Sequence, residues 1–243
     1  MPRFFMAATN ILGGPAIIRG RDAEHVRVLR LRPGEDVVIC DGEGTDYKCR
    51  LVYADKEQAE AEVIEVVPCR GEPSVKVTVL CGLSKGERSD YTVQKCVEAG
   101  AQEIGFFSCS RCVARPDNIE KKLERWQRIA EEAAKQSGRG IIPRVFWAGD
   151  FTAALDIAVK KDLKLFLYET GEREALNTVL EAGREAGTAC LITGPEGGFA
   201  EFEAKLARVC GLHLCSMGER ILRCETAPVV ALTAIMYATG NLS

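Results

Sequence analysis

The chain has 243 residues, 47% hydrophobic and 28% charged, with a formal net charge of -3. This is an ordinary globular composition, long enough for one large domain or a small and a medium one, and the overall charge argues against a uniformly basic nucleic-acid binder. No apolar run approaches the roughly 20 residues that cross a bilayer, and the N-terminus lacks the apolar core of a secretion signal, so a cytoplasmic protein without membrane attachment is expected.

Residues 1–70 read as all-β. Short β-type runs fall at residues 4–5, 37–40, 47–52 and 61–67, separated by the turn signals Pro33-Gly34-Glu35-Asp36 and Asp41-Gly42-Glu43-Gly44. Several short strands at regular spacing predict a small barrel. Between the first strands, residues 22–31 are helical in pattern and carry His25, Arg27 and Arg30, which make either a basic reading surface or a plain solvated face. The run Pro68-Cys69-Arg70-Gly71-Glu72-Pro73 is punctuation and marks the domain boundary.

Beyond it the period changes. A strand is predicted over 75–81, running into the loop 82–86, then a helix over 88–100 and a strand over 103–107. Residues 119–136 form an amphipathic helix, with Ile119, Leu123, Trp126, Ile129 and Ala133 at helical spacing and Lys121, Lys122, Arg125, Arg128 and Lys135 opposite. No element is assigned over 144–163. Strands over 164–168, 188–193 and 212–216 then alternate with helices over 172–186, 201–210 and from Thr226 onward. Alternation of this kind predicts a mainly parallel, doubly wound sheet over residues 74–243. The last helix is apolar on every face, as suits burial against a neighbouring molecule or a simple core position.

Local charge departs from the mean. Residues 1–32 carry six Arg against Asp22 and Glu24, and residues 111–144 carry nine Lys or Arg against five Asp or Glu. Such stretches fit a polyanion partner at defined places, or equally a solvated face. The eleven cysteines, without a secretion signal, read as reduced thiols packed as small hydrophobes. Cys109 and Cys112 form a C-x-x-C with no second pair at zinc-ribbon spacing, and His25 and His213 stand apart, so no metal is expected.

The most informative stretch is the apolar run 189–192 ending in Thr193-Gly194-Pro195-Glu196-Gly197-Gly198. It reads as a buried strand opening at its carboxyl end into a tight loop, where ligands of α/β sheets sit. A second loop of this kind follows the strand over 212–216. Neither has the spacing of a phosphate or dinucleotide loop, and Glu196 would repel phosphate. An adenosine-type ligand bearing a sulfonium fits better, with carboxylates near its positive end; a simple tight turn is the alternative.

Taken together, Gly194-Pro195-Glu196-Gly197-Gly198-Phe199 with Glu203, and Met217-Gly218-Glu219-Arg220-Ile221-Leu222-Arg223-Cys224-Glu225-Thr226-Ala227, resemble the paired signature of the 16S ribosomal RNA uracil-N3 methyltransferases of the SPOUT superfamily. Lys85, Lys95 with Glu98 and Gly100, Ser110-Arg111, Arg125-Trp126, the run 132–139 with Pro143, and the N-terminal Arg3-Phe4-Phe5, His25-Val26 and Arg30 also match, so the resemblance spans nearly the whole chain. Cys224 stands where Thr is expected and Met217 where Leu is usual. The resemblance implies a PUA-like barrel over 1–70 and a SPOUT domain over 74–243 with a C-terminal trefoil knot. It further implies a homodimer, S-adenosylmethionine held by the knot loops, and 16S rRNA of the small ribosomal subunit as substrate. Another RNA such as tRNA, or a non-catalytic role in ribosome assembly, stays open at this point.

The donor site would be made by Leu167 and Glu169 as one wall, by Thr193, Gly194, Pro195, Glu196, Gly197 and Gly198, and by Met217, Gly218, Ile221, Leu222, Arg223 and Thr226. Arg3, His25, Arg27, Arg30, Lys85, Lys95, Arg111, Arg125 and Arg139 would contact RNA. Uracil N3 must lose a proton before it can accept a methyl group. A guanidinium suits the resulting anion, and Arg223 is the candidate, with a carboxylate partner such as Glu225 as its competing role. Glu196 is the candidate for orienting the loop or meeting the ligand's amine.

Overall fold

The computed structural model describes residues 1–11 and 13–242. They cluster into two compact units, 1–72 with 134–142, and 73–133 with 143–243. The first unit holds β1 (Arg3–Phe5), β2 (Ala16–Arg19), α1 (Arg21–Val28), β3 (Asp36–Cys40), β4 (Thr45–Ala54) and β5 (Gln58–Pro68). These strands form one sheet in the order β1-β3-β4-β5-β2, antiparallel except for the β1/β3 pair. Bulges at Lys48/Cys49 and Leu51/Tyr53 interrupt the β4/β5 register, and such insertions bend and twist a strand pair. The sheet is thus curled into a half-barrel around Phe4, Ile18, Val26, Val37, Ile39, Tyr47 and Leu51. Strand β2 was not legible in the pattern: four residues with Ala16 and Ile18 inward and Ile17 and Arg19 outward are too few to declare a period.

The second unit holds β6 (Lys76–Gly82), α2 (Arg88–Glu98), β7 (Glu103–Ser108), most of α3 (Ile119–Ser137), β8 (Arg144–Asp150), α4 (Phe151–Ala158), β9 (Leu163–Leu167), β10 (Glu174–Ala175), α5 (Leu176–Ala182), β11 (Thr188–Thr193), α6 (Glu201–Val209), β12 (His213–Ser216) and α7 (Thr226–Ala238). Seven parallel strands lie in the order β10-β12-β9-β11-β6-β7-β8. Helices cover both faces, as parallel strands require. Phe107, Phe151, Phe166, Ile192 and Phe199 pack with α4 and α6 on one side, and on the other α7 lies against β6 and β11 and is itself packed by α2. That contact makes α7 a core helix through Ala231, Leu232, Ile235 and Met236.

Two departures from the sequence expectation have local causes. Residues 144–158 form β8 and α4, an edge strand whose half-exposed Phe146 and Trp147 blur its alternation and a helix of eight residues. The one signal for that helix is Asp150, whose carboxylate accepts the Ala153 N–H at 2.9 Å as an N-cap. The helix expected over 172–186 begins with the short β10 and stops at Gly183, its C-cap. Among the described residues no helix is long and apolar enough to cross a membrane.

Candidate active site

The carboxyl ends of β9, β11 and β12, three adjacent strands, open into one cleft of about 630 Å³, a volume suited to a small organic ligand. Leu167, Tyr168 and Glu169 form one wall, and the loops 194–199 and 217–225 form the other two. The cleft brings together Leu167, Glu169, Thr193, Gly194, Pro195, Glu196, Gly198, Met217, Gly218, Ile221, Leu222 and Arg223. Gly197 and Thr226 are not on its surface: Gly197 turns toward Arg111 and Thr226 lines a separate hollow with Lys85.

Glycine at three positions follows from close approach. A Cβ on Gly82, at the end of β6, would lie 2.5 Å from Pro195 Cδ and 2.7 Å from its nitrogen, so the first loop is seated directly on that strand. A Cβ on Gly197 would meet the Arg111 carbonyl oxygen at 3.0 Å, while Arg111 Nη1 donates to the Gly197 carbonyl at 3.3 Å. Gly198 has φ +64°, and a Cβ there would reach 3.0 Å from Glu169 Oε1, a left-handed conformation that glycine adopts without penalty. Behind the loop the buried Glu203 accepts the Ser110 and Ala200 N–H groups, both at 2.8 Å, and so ties the turn after β7 to the start of α6.

The acidic lining expected from the loops is corrected by the structure: Glu169, Glu196, Glu219 and Glu225 share the cleft with Arg88, Arg173, Arg220 and Arg223. Arg220 and Arg223 belong to the second loop, whereas Arg88 and Arg173 come from outside both motifs. Glu196 Oε1 accepts the Lys85 N–H at 2.9 Å and Arg88 Nη1 at 2.7 Å, so its carboxylate is engaged by the protein itself. Arg173 donates to the Glu169 carbonyl. The partner Glu225, weighed for Arg223, instead faces Arg88 Nε at 3.7 Å and the Cys224 thiol at 3.3 Å. Burial and that carboxylate push the Cys224 thiol up to about 12. Arg223 is exposed at the cleft edge, with no side-chain ion pair among the described residues.

The expected RNA-contact residues divide sharply. Arg3 is engaged by the protein itself: its guanidinium forms a two-pronged pair with Asp46 at 2.6 and 2.8 Å inside the first unit. Arg139 is likewise engaged within the first unit. Its side chain is only 2% exposed and its Nε and Nη2 donate to Glu72 at 3.2 and 2.6 Å. Arg125 is paired with Asp90, which also accepts the Trp126 indole N–H at 2.9 Å, and Lys95 is paired with Glu98 at 2.9 Å. The exposed members of the set are His25, Arg27 and Arg30 on and after α1, with Arg27 only 3.6 Å from Glu24 on the same helix, and Lys85, Arg111 and the Asp90-paired Arg125 in the second unit. Arg30 sits at φ +56°, closing α1 in a position where glycine is usual.

All eleven cysteines are free, six of them buried. In the C-x-x-C turn the two sulfurs are 3.5 Å apart and Cys112 Sγ accepts the Cys109 N–H at 3.3 Å. Hydrogen bonding from Cys109 lowers the Cys112 thiol to about 7 and raises that of Cys109. Among the described residues no group of three or more His, Cys, Asp or Glu is arranged to hold a metal ion.

The parallel sheet opening into paired glycine loops and the curled β unit fall within two family models, and these mark the chain as an RNA methyltransferase. Residues 71–236 match the family model of an RNA methyltransferase domain, and residues 18–64 match that of an RNA methyltransferase PUA domain. The ribosomal RNA small subunit methyltransferase E of Bacillus subtilis is 35% identical over the whole of this chain and 98% of its own. That of Mycobacterium tuberculosis is 33% identical over 98% of this chain and 92% of its own. The crystal structure of the Neisseria gonorrhoeae enzyme of the same name, bound to S-adenosyl methionine, is 33% identical with a TM-score of 0.88, covering 98% of this chain and 97% of that one. The chain belongs to the ribosomal RNA small subunit methyltransferase E family.

Proposed function

We propose that the protein transfers the methyl group of S-adenosylmethionine to N3 of a uridine in 16S rRNA of the small ribosomal subunit. The observation that carries this reading is the cleft at the ends of β9, β11 and β12, where Arg223, without an ion pair among the described residues, stands at the edge of a chamber sized for the donor. The donor set fits: Leu167, Phe199, Ile221 and Leu222 offer apolar surface to an adenosine, the loops 194–198 and 217–222 offer backbone groups, and Glu169 and Glu219 offer carboxylates. Bound there, S-adenosylmethionine supplies an activated methyl group on a sulfonium that leaves as a neutral thioether.

The demand on the protein falls on the acceptor. The N3 proton must be removed, and the resulting charge spreads over the two flanking carbonyl oxygens. A planar, permanently charged guanidinium stabilises such an anion at both edges. Arg223 is free to do so because Glu225 is occupied by Arg88. A base inside folded RNA must also be turned out of its stack to be reached. The exposed groups available to grip the backbone are His25, Arg27 and Arg30 in the PUA-like unit, and Lys85 and Arg111 in the methyltransferase unit. A C-terminal trefoil knot belongs to the same proposal, as does a homodimer. The dimer is supported by the apolar groove of Leu176, Leu180, Ala234 and Tyr237 between α5 and α7, and light scattering tests it.

The experiment is incubation with labelled S-adenosylmethionine and unmodified small subunits, followed by mapping of the methyl group. At saturating donor, Arg223→Ala is expected to transfer at least a hundredfold more slowly, the scale of losing one anion-stabilising group. Full transfer by that variant, or a methyl group on another RNA or atom, overturns the assignment.

A further inference from the structure

Loops 194–199 and 217–225 face each other across the cleft, yet among the described residues no hydrogen bond or ion pair joins them directly. What connects them comes from a third element. Arg88, the first residue of α2, donates from Nη1 to Glu196 Oε1 at 2.7 Å in the first loop. Its Nε lies 3.7 Å from Glu225 Oε2 at the foot of the second. The same Nη1 reaches the Lys85 carbonyl at 3.2 Å, and the Lys85 N–H returns to Glu196 at 2.9 Å, which aims the guanidinium. Removing Arg88 would leave two carboxylates on opposing loops with no cation between them, and like charges in a partly enclosed site repel.

We infer that Arg88 is a positioning residue that latches the two loops at the separation the methyl donor requires. The inference rests on the proposed methyltransferase reading and names the part of the cleft that sets donor affinity. Arg88 touches neither reacting atom; it acts through Glu196 and Glu225. Because the Arg88–Glu196 pair is substantially solvent-exposed, it adds little to global stability, so its loss is felt in the loops' spacing and not in folding.

The test is calorimetric titration of the full-length protein with S-adenosylmethionine, alongside melting and steady-state kinetics. Arg88→Ala is expected to weaken donor binding about tenfold, within the range of ordinary coupling between sites. The KM for the donor should rise by a similar factor while kcat and the KM for RNA stay within about twofold and the melting temperature holds. Arg88→Lys, which keeps the charge and can reach one carboxylate, should recover part of the loss. Adding Glu196→Gln to Arg88→Ala should cost nothing further, since the two share one interaction. Donor affinity of Arg88→Ala within twofold of the wild type, or losses that simply add in the double variant, would overturn the latch. Failure of the wild type to bind the donor at all would instead overturn the methyltransferase reading beneath it.

Discussion

Replacing Arg139 with Ala separates a structural role from an RNA-binding one. The side chain is 2% exposed and that of Glu72 16%. Glu72 Oε1 accepts Arg139 Nε at 3.2 Å and the Gly140 and Ile141 N–H groups at 2.9 and 3.0 Å, while Oε2 accepts Arg139 Nη2 at 2.6 Å. Truncation removes both of these charge-assisted bonds to Glu72 and leaves its carboxylate with the two amide donors. Breaking a fully buried pair costs about 3–5 kcal/mol; the wet edge of Glu72 puts this case near the lower end, about 3 kcal/mol. If the unit of residues 1–72 and 134–142 melts on its own, each kcal/mol is worth about 4–8 °C, so its transition falls by about 12–24 °C. If the chain melts as one, the shift is about half that. Calorimetry reads the shift, and Arg139→Met with Glu72→Gln should recover part of it, because both charges are then gone. The reasoning is refuted if Arg139→Ala melts within a degree of the wild type while the slope of log RNA affinity against log salt shrinks by about 0.7–0.9, the mark of one lost phosphate contact.

Three further outcomes are expected. Gly82→Ala places a methyl 2.5 Å from Pro195 and must push the first loop toward the cleft, lowering donor affinity about tenfold or more by calorimetry, on the 1–3 kcal/mol scale of overpacking; unchanged affinity would remove that loop from the donor site. Arg30→Gly relieves φ +56° and should stabilise the protein by about 0.5–1 kcal/mol in denaturant titration, while RNA affinity falls; a gain in both would exclude Arg30 from the RNA surface. Alkylation of Cys112 should accelerate as pH rises, pass its midpoint below that of an ordinary thiol and level off about one pH unit beyond it, since the thiolate is the reactive form and hydrogen bonding from Cys109 lowers its thiol. Cys49, raised to about 11 by burial, should stay silent until strongly alkaline pH. Peptide mass spectrometry across pH 6–9 reads this, and a Cys112 midpoint near the ordinary ~8.5 would contradict it.

The elements most legible in the sequence are those whose signal is local. Strand β11 is a run of apolar residues closed by a glycine turn, and α3 shows its inward face at helical spacing, so each could be placed within a residue or two. The loop 194–198 was recognisable as a tight glycine turn at a strand's carboxyl end because its glycines need no partner to be seen. Strand β8 and α4 were not legible, because an edge strand with half-exposed aromatics and an eight-residue helix carry too little period.

What sequence alone could not decide was the fate of each charge. Arg3 and Arg139 look like Arg27 and Arg30 in composition, yet they are consumed by Asp46 and Glu72, which lie 43 and 67 residues away along the chain. Arg88 carries no motif signal; it matters because α2 starts where Glu196 and Glu225 converge. Periodicity and turn chemistry are properties of neighbours in the chain, and they determined the two-part architecture and the glycine loops. Pairing and burial are properties of neighbours in space, and only the folded sheet decided which cations face solvent, which carboxylates are satisfied, and that Arg223 is left free at the cleft.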